Sequence, residues 1–192
     1  MDESTNEPLS KGAGFLALKA VWTEMLDPNE LALIVASLSP EARDLWEHPP
    51  LAVSWTPQGP ANEFHRRVEQ RLGIRALPLA EEVARRIMFR NFTGIYRMLI
   101  RMATVDYVIT RAEKYYSQYR KNQGTLITRR TGPTSSWNRY EGIPDATPIQ
   151  AWFLGGAGVG LIELVGAKNP KVVRRDARPT DHVIELEFSW QE

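Results

Sequence analysis

Phe15, Leu18, Trp22 and Met25 recur at three- and four-residue spacing, which predicts a first helix with one apolar face. Asp27-Pro28-Asn29-Glu30 restarts the chain, because it joins an N-cap acid, proline at the first helical position and a capping-box glutamate. Leu31, Ile34, Val35 and Leu38 are expected on the inward face of that second helix. Ser39-Pro40 repeats the start signal, and a short helix through Leu45 and Trp46 ends before His48-Pro49-Pro50. Leu51 to Trp55 reads as extended and is followed by the loop Thr56-Pro57-Gln58-Gly59-Pro60. Phe64, Val68 and Leu72 line a further helix that Gly73 terminates.

From Pro78 to Met102 the helical pattern persists through Leu79, Val83, Ile87, Phe92, Ile95, Tyr96 and Leu99, with Asn91-Phe92-Thr93-Gly94 as a break or kink. Val105, Val108, Ile109, Ala112, Tyr115, Tyr116 and Tyr119 then share one face of an amphipathic helix that Gly124 stops. Thr125 to Thr131 and Ser136 to Glu141 read as a hairpin around Gly132-Pro133-Thr134-Ser135. Pro148 opens an apolar helix through Val165. Lys171 to Arg175 and Asp181 to Trp190 close the chain as strands, the last with His182, Ile184, Leu186, Phe188 and Trp190 on one face.

This order predicts an α+β fold: N-terminal helices, a long central helix, then a small antiparallel sheet (strand-strand-helix-strand-strand) covered by helices. Residues 1–10 are expected to form a flexible tail and residues 11–192 one domain, mostly helical over 11–103 and helix plus sheet over 104–192. At 192 residues such a chain can bury roughly 70% of its unfolded surface. The net charge of +1 gives no overall pull toward nucleic acid or anionic membrane. The absence of cysteine excludes disulfides, thiolate metal sites and a cysteine nucleophile, and suits a cytoplasmic protein. Ala151 to Ile162 is uncharged but well short of the about 20 residues a membrane span needs.

Leu18 to Met25, Leu38-Ser39-Pro40-Glu41, Trp55-Thr56-Pro57, Tyr115 to Gly124, Trp152 to Gly166 and Glu187-Phe188-Ser189-Trp190 together resemble a myxobacterial-type family. That family is allied to the heme-nitric-oxide-binding and vinyl-reductase-like ligand-binding domains. The resemblance runs by pattern from about Leu16 onward, and implies a ligand-sensing fold more than an activity. A heme site of that kind calls for an axial histidine followed by a Tyr-x-Ser-x-Arg clamp for the propionates. Tyr115-Tyr116-Ser117-Gln118-Tyr119-Arg120 places the arginine one position late, and His48 and His65 stand far upstream. No cofactor is therefore expected, and heme is disfavoured. The cysteine ligands of some vinyl-reductase-like domains are absent.

Other chemistry is excluded on its residues. His48, His65 and His182 form no metal-ligand pair, and no serine sits in a nucleophile elbow. Gly155, Gly156, Gly158 and Gly160 fail as a phosphate loop, since Leu161 takes the third glycine position counted from Gly156 and no G-K-[ST] follows. Close packing of that helix on the sheet, with Gly156 and Gly160 on one face, accounts for them better. Arg129, Arg130, Arg139, Arg174 and Arg175 fall on strands, with Trp137 and Tyr140 interleaved. Cross-strand pairing with Glu141, Glu185 and Glu187 is preferred to a nucleic-acid face. Arg97, Arg101 and Arg111 read as a solvated helix face.

The expected function is a non-catalytic module that binds a small hydrophobic or amphipathic ligand or takes part in signalling. Tyr116, Tyr119, Arg139 and Trp152 are the residues expected to line a cavity over the sheet. The competing reading is a protein-interaction adaptor or homodimerisation scaffold in which the same residues are core.

Overall fold

The computed structural model describes residues 6–91 and 103–191. Phe92, Thr93 and Gly94 of the expected kink, Ile95, Tyr96 and Leu99 of the expected helix, and Arg97 and Arg101 lie outside the described residues. The N-terminal half builds a helical layer from α1 (Gly12–Met25), α2 (Pro28–Ala36), α3 (Pro40–Glu47), α4 (Gly59–Leu72) and α5 (Ala76–Asn91). Its start signals work as the sequence predicts: Asp27 accepts from Asn29 N at 2.9 Å, and the Ser39 hydroxyl accepts from Ala42 N at 3.3 Å. Ser39 is held in turn by the Glu63 carboxylate at 2.8 and 2.7 Å, which ties α3 to α4. Trp22, Phe64 and Trp46 centre this core, with Trp46 and Phe64 stacked at 4.3 Å.

The second half contains α6 (Val105–Tyr119), β3 (Arg120–Lys121), β4 (Thr125–Gly132), β5 (Ser135–Glu141), α7 (Pro148–Leu164), β6 (Lys168–Arg178) and β7 (Val183–Gln191). The last four strands form one antiparallel sheet in the order β4-β5-β7-β6. Ile184, Leu186, Phe188 and Trp190 are buried on its helix-covered face, as their alternation predicts. His182 departs from that face, because it precedes β7 in a left-handed turn with φ 56°. The β4–β5 connection is tighter than expected, leaving only Pro133 and Thr134 between the strands, with a bulge between Arg130 and Gly132.

A second, three-stranded sheet is a finding beyond the sequence reading. β1 (Leu9–Lys11) runs between β2 (Trp55–Pro57) and β3, antiparallel to both. Residues expected to belong to a loose tail are therefore tied down, and Gln58 N and the Asn122 amide also reach the carbonyls of Pro8 and Glu7. Strands of two or three residues carry no alternation from which to read them.

The helix α7 lies between α5 and the sheet, so it is buried nearly all round. Its glycines serve both neighbours. A Cβ on Gly156 would stand 2.0 Å from the Glu81 carbonyl oxygen of α5, and one on Gly160 2.9 Å from that of Arg85. A Cβ on Gly158 would stand 2.5 Å from the Phe188 ring, and one on Gly155 3.0 Å from Val172. The close approach of Gly156 and Gly160 is thus to a helix, whereas Gly155 and Gly158 meet the sheet.

The helix α6 packs on the sheet side through Ile109, flanked by Val105, Ala112 and Tyr116, while Val108 meets Leu164 at the end of α7. Tyr115 and Tyr119, expected inside, are 38% and 56% exposed. Each lies about 60° round the helix from Ala112 or Tyr116, and the edge strand β4 leaves that flank uncovered. Among the described residues no helix is long and apolar enough to cross a membrane.

Replacing Gly156 with alanine is predicted to lower stability by about 2–3 kcal/mol, because helix backbones rather than a side chain must part. Gly14→Ala, on an open face of α1 with nothing within 4 Å, is predicted to raise it by about 0.8 kcal/mol. Urea unfolding of the two variants checks both signs.

Candidate functional site

The four residues proposed as a cavity lining do not converge. Arg139 lies on the sheet face turned away from the helices, in an ion-pair cluster with Glu141 and Glu185, both at 2.6 Å. Trp152 stacks under the Arg175 guanidinium at 3.9 Å, and Arg175 pairs with Glu81 at the α5–α7–β6 junction. Tyr119 is exposed. Only Tyr116 enters the interior, where its ring meets Tyr140 at 5.6 Å and its hydroxyl donates to the Gln123 carbonyl at 2.8 Å. The strand arginines also divide: Arg129, Arg139 and Arg174 lie on the outer face, while Arg130 and Arg175 turn toward the helices. Arg174 pairs across strands with Glu187 at 3.2 Å, and Arg178 joins Glu185 at 2.8 Å.

The polar centre of the molecule is instead a seam where α4, α7, β1 and the α6–β3 corner meet. A chain of hydrogen bonds crosses it. Arg120 donates to the Gln123 side-chain oxygen at 2.9 Å, and the Gln123 amide donates to Leu9 O at 2.7 Å and to the Ser10 hydroxyl at 2.8 Å. Ser10 donates to Gln58, Gln58 to Asn62 at 2.8 Å, and Gln150 reaches both Asn62 at 2.9 Å and His65 Nδ1 at 3.2 Å. Gln123, Gln150, Asn62 and His65 are all buried. Sequence reasoning passed over the three amides and weighed His65 only as a metal ligand, although His65 shares a helical face with Ala61, Phe64 and Val68, and a polar residue within such a face marks a buried hydrogen-bonding position.

Leu9 O accepts only, so the Gln123 amide nitrogen must face it. A neutral imidazole offers one acceptor, and the Trp22 Nε1–H, which can only donate, faces Nε2 at 3.4 Å, so the ring's own proton sits on Nδ1, toward Gln150. Complete burial, then Arg120 and Arg66, push the His65 pKa down to about 3, so the ring is neutral at pH 7. Burial, with Tyr116 nearby, pushes the Tyr140 hydroxyl up to about 12.

Enclosed space at the seam is about 10 Å³, bounded by Asn62, Arg120, Gln123, Asp145, Gln150 and Leu154 among others. A wider open groove of about 380 Å³ lies elsewhere, along α1, α5 and α7. Its arginines are already engaged, Arg85 with Glu163 at 2.7 Å, Arg86 with Glu82 at 2.8 Å and Arg90 with Glu24 at 2.5 Å. Among the described residues no group of three metal-binding side chains occurs.

No protein-family model and no curated protein matches the chain. Solved structures do. The Fe(II) unliganded H-NOX protein from K. algicida matches with a TM-score of 0.66 at 10% identity, over 95% of this chain and 97% of that one. An oxygen-binding H-NOX domain related to soluble guanylate cyclases matches at 0.62 and 12%, over 95% of each chain. A structure described as probing heme distortion in the H-NOX family matches at 0.65 and 12%, over 94% of each. The chain therefore has the fold of the heme-nitric-oxide-binding superfamily.

The expectation of a chain without a cofactor is corrected by these neighbours, one of which is described as a heme protein of the H-NOX family. The seam holds donors of the right chemistry in neutral His65, Tyr116 and Arg120. As packed it does not fit a macrocycle, since ligand pockets run to about 300–1,000 Å³ and both His65 nitrogens face neighbours.

A buried imidazole that unfolding would expose ties stability to pH. Between the unfolded pKa near 6.5 and the folded value of about 3, the unfolded chain binds the extra proton, so stability falls as pH falls. Urea unfolding between pH 7 and pH 5 is predicted to show a loss approaching about 1.4 kcal/mol per unit below pH 6.5, and His65→Gln is predicted to remove that component. Nitrogen-15 NMR of the imidazole is predicted to show the Nδ1–H tautomer; an Nε2–H ring would mean that the Trp22 indole does not donate to it.

Proposed function

We propose that this chain is a ligand-sensing module of the heme-nitric-oxide-binding kind, with its ligand site at the polar seam and no reaction of its own. Heme is the first ligand to test. The observation that carries this reading is the buried amide chain from Arg120 to His65, lying between the helical layer and the sheet of a chain with the H-NOX fold. Buried polar groups are costly unless satisfied, so a ligand that replaces one partner must reorganise the others. Here the chain runs through Ser10 of β1 and Gln123 beyond β3. Ligand entry would therefore part α4 from α7 and shift the small sheet that joins them, which gives a local binding event a structural readout.

The closed seam sets the cost of such binding: the free protein occupies the closed packing, and affinity is reduced by the fraction that is open. Titration with hemin is predicted to give saturable one-to-one uptake with a sharpened Soret band, slow to develop because the layers must separate. A spectrum that stays that of free hemin at every ratio would sink the reading.

A further inference from the structure

The outer face of α6 is a second feature, independent of the ligand reading. Tyr107, Arg111, Tyr115 and Tyr119 follow one another at four-residue spacing, and all four are exposed. Such an i, i+4 row is the ridge with which helices commonly interdigitate. Arg111 lies 5.7 Å from the Tyr107 ring centre, and donation of the Tyr115 hydroxyl toward Tyr107 holds it above its usual ionisation range, so the row is partly ordered in advance. No carboxylate pairs with Arg111 among the described residues. The acids of α6 are turned to the sheet, where Asp106 meets Arg130 at 3.1 Å and Glu113 accepts from Thr128 N at 3.1 Å. Tyrosine and arginine are the residue types that dominate buried interface centres.

We infer that this ridge is the contact between two copies of the chain, related by a two-fold axis that crosses α6 between Arg111 and Tyr115. A two-fold contact must be self-complementary, residue i meeting j while j meets i. The row satisfies that requirement. Arg111 of each copy falls against Tyr115 of the other, a cation–π pair made twice, and Tyr107 falls toward Tyr119, with no like charges opposed along the ridge. An acidic partner would satisfy Arg111 but would leave the three tyrosines without that reciprocal match. One helix face about 22 Å long covers less than the roughly 800 Å² per partner of a standard interface, so the dimer is weak, with a Kd on the order of tens of micromolar.

Sedimentation velocity from about 5 to about 500 µM tests this directly. The chain is expected to pass from monomer to dimer across that range, and Arg111→Glu and Tyr115→Ala, both at exposed positions and checked for folding by circular dichroism, are each expected to weaken dimerisation at least tenfold. A chain that stays monomeric at the highest concentration, or a dimer indifferent to both substitutions, overturns the inference. So does a monomer that instead binds poly-L-glutamate through Arg111, which would assign the ridge to an acidic partner.

Discussion

The seating of α7 between α5 and the sheet is the constraint on which the rest of the structure depends. Two kinds of surface close on one helix, and each needs its backbone close. Gly156 and Gly160 admit the α5 backbone while Gly155 and Gly158 admit Val172 and Phe188. Without that double approach the helical layer and the sheet would be separate bodies joined by short strands. With it, Ile149 can belong to the core of the helical layer while Leu154 and Ile162 belong to the core over the sheet.

The same seating places Gln150. Within the first turn of α7, it projects into α4 and meets Asn62 and His65, so the packing that joins the layers also completes the polar chain between them. The chain's other end is fixed by β1, which Gln123 grips through both Leu9 O and Ser10. The protein thus holds its buried polar network where its layers meet.

Much of this architecture was legible in the residue pattern. Helix starts at Asp27 and Ser39 carry their own chemistry, and the alternation of Ile184, Leu186, Phe188 and Trp190 fixes which face of β7 is buried. The candidate site was far less legible. Aromatic and charged residues drew attention to Tyr119, Arg139 and Trp152, but their positions depend on strand order and on where the sheet ends, which local periodicity does not encode. The residues that do meet at the seam are amides, a serine and one histidine, drawn from segments up to 140 positions apart between Ser10 and Gln150. The missed sheet has the same cause, since its pairings join Leu9 to Pro57 and to Lys121 through strands too short to announce themselves. The cofactor expectation failed for a different reason. It weighed a one-residue displacement in a motif, whereas the whole-chain likeness to H-NOX structures is carried by topology at 10–12% identity.

Hydrogen–deuterium exchange with and without added hemin tests the central claim most directly, because it locates the response as well as detecting it. Altered protection is predicted in the peptides that flank the seam, residues 6–11, 59–72 and 116–125, with β4 and β5 beyond residue 129 unchanged. Changes confined to the open groove of α1 and α5, or no change in any peptide, would contradict the proposal that the seam is the ligand site.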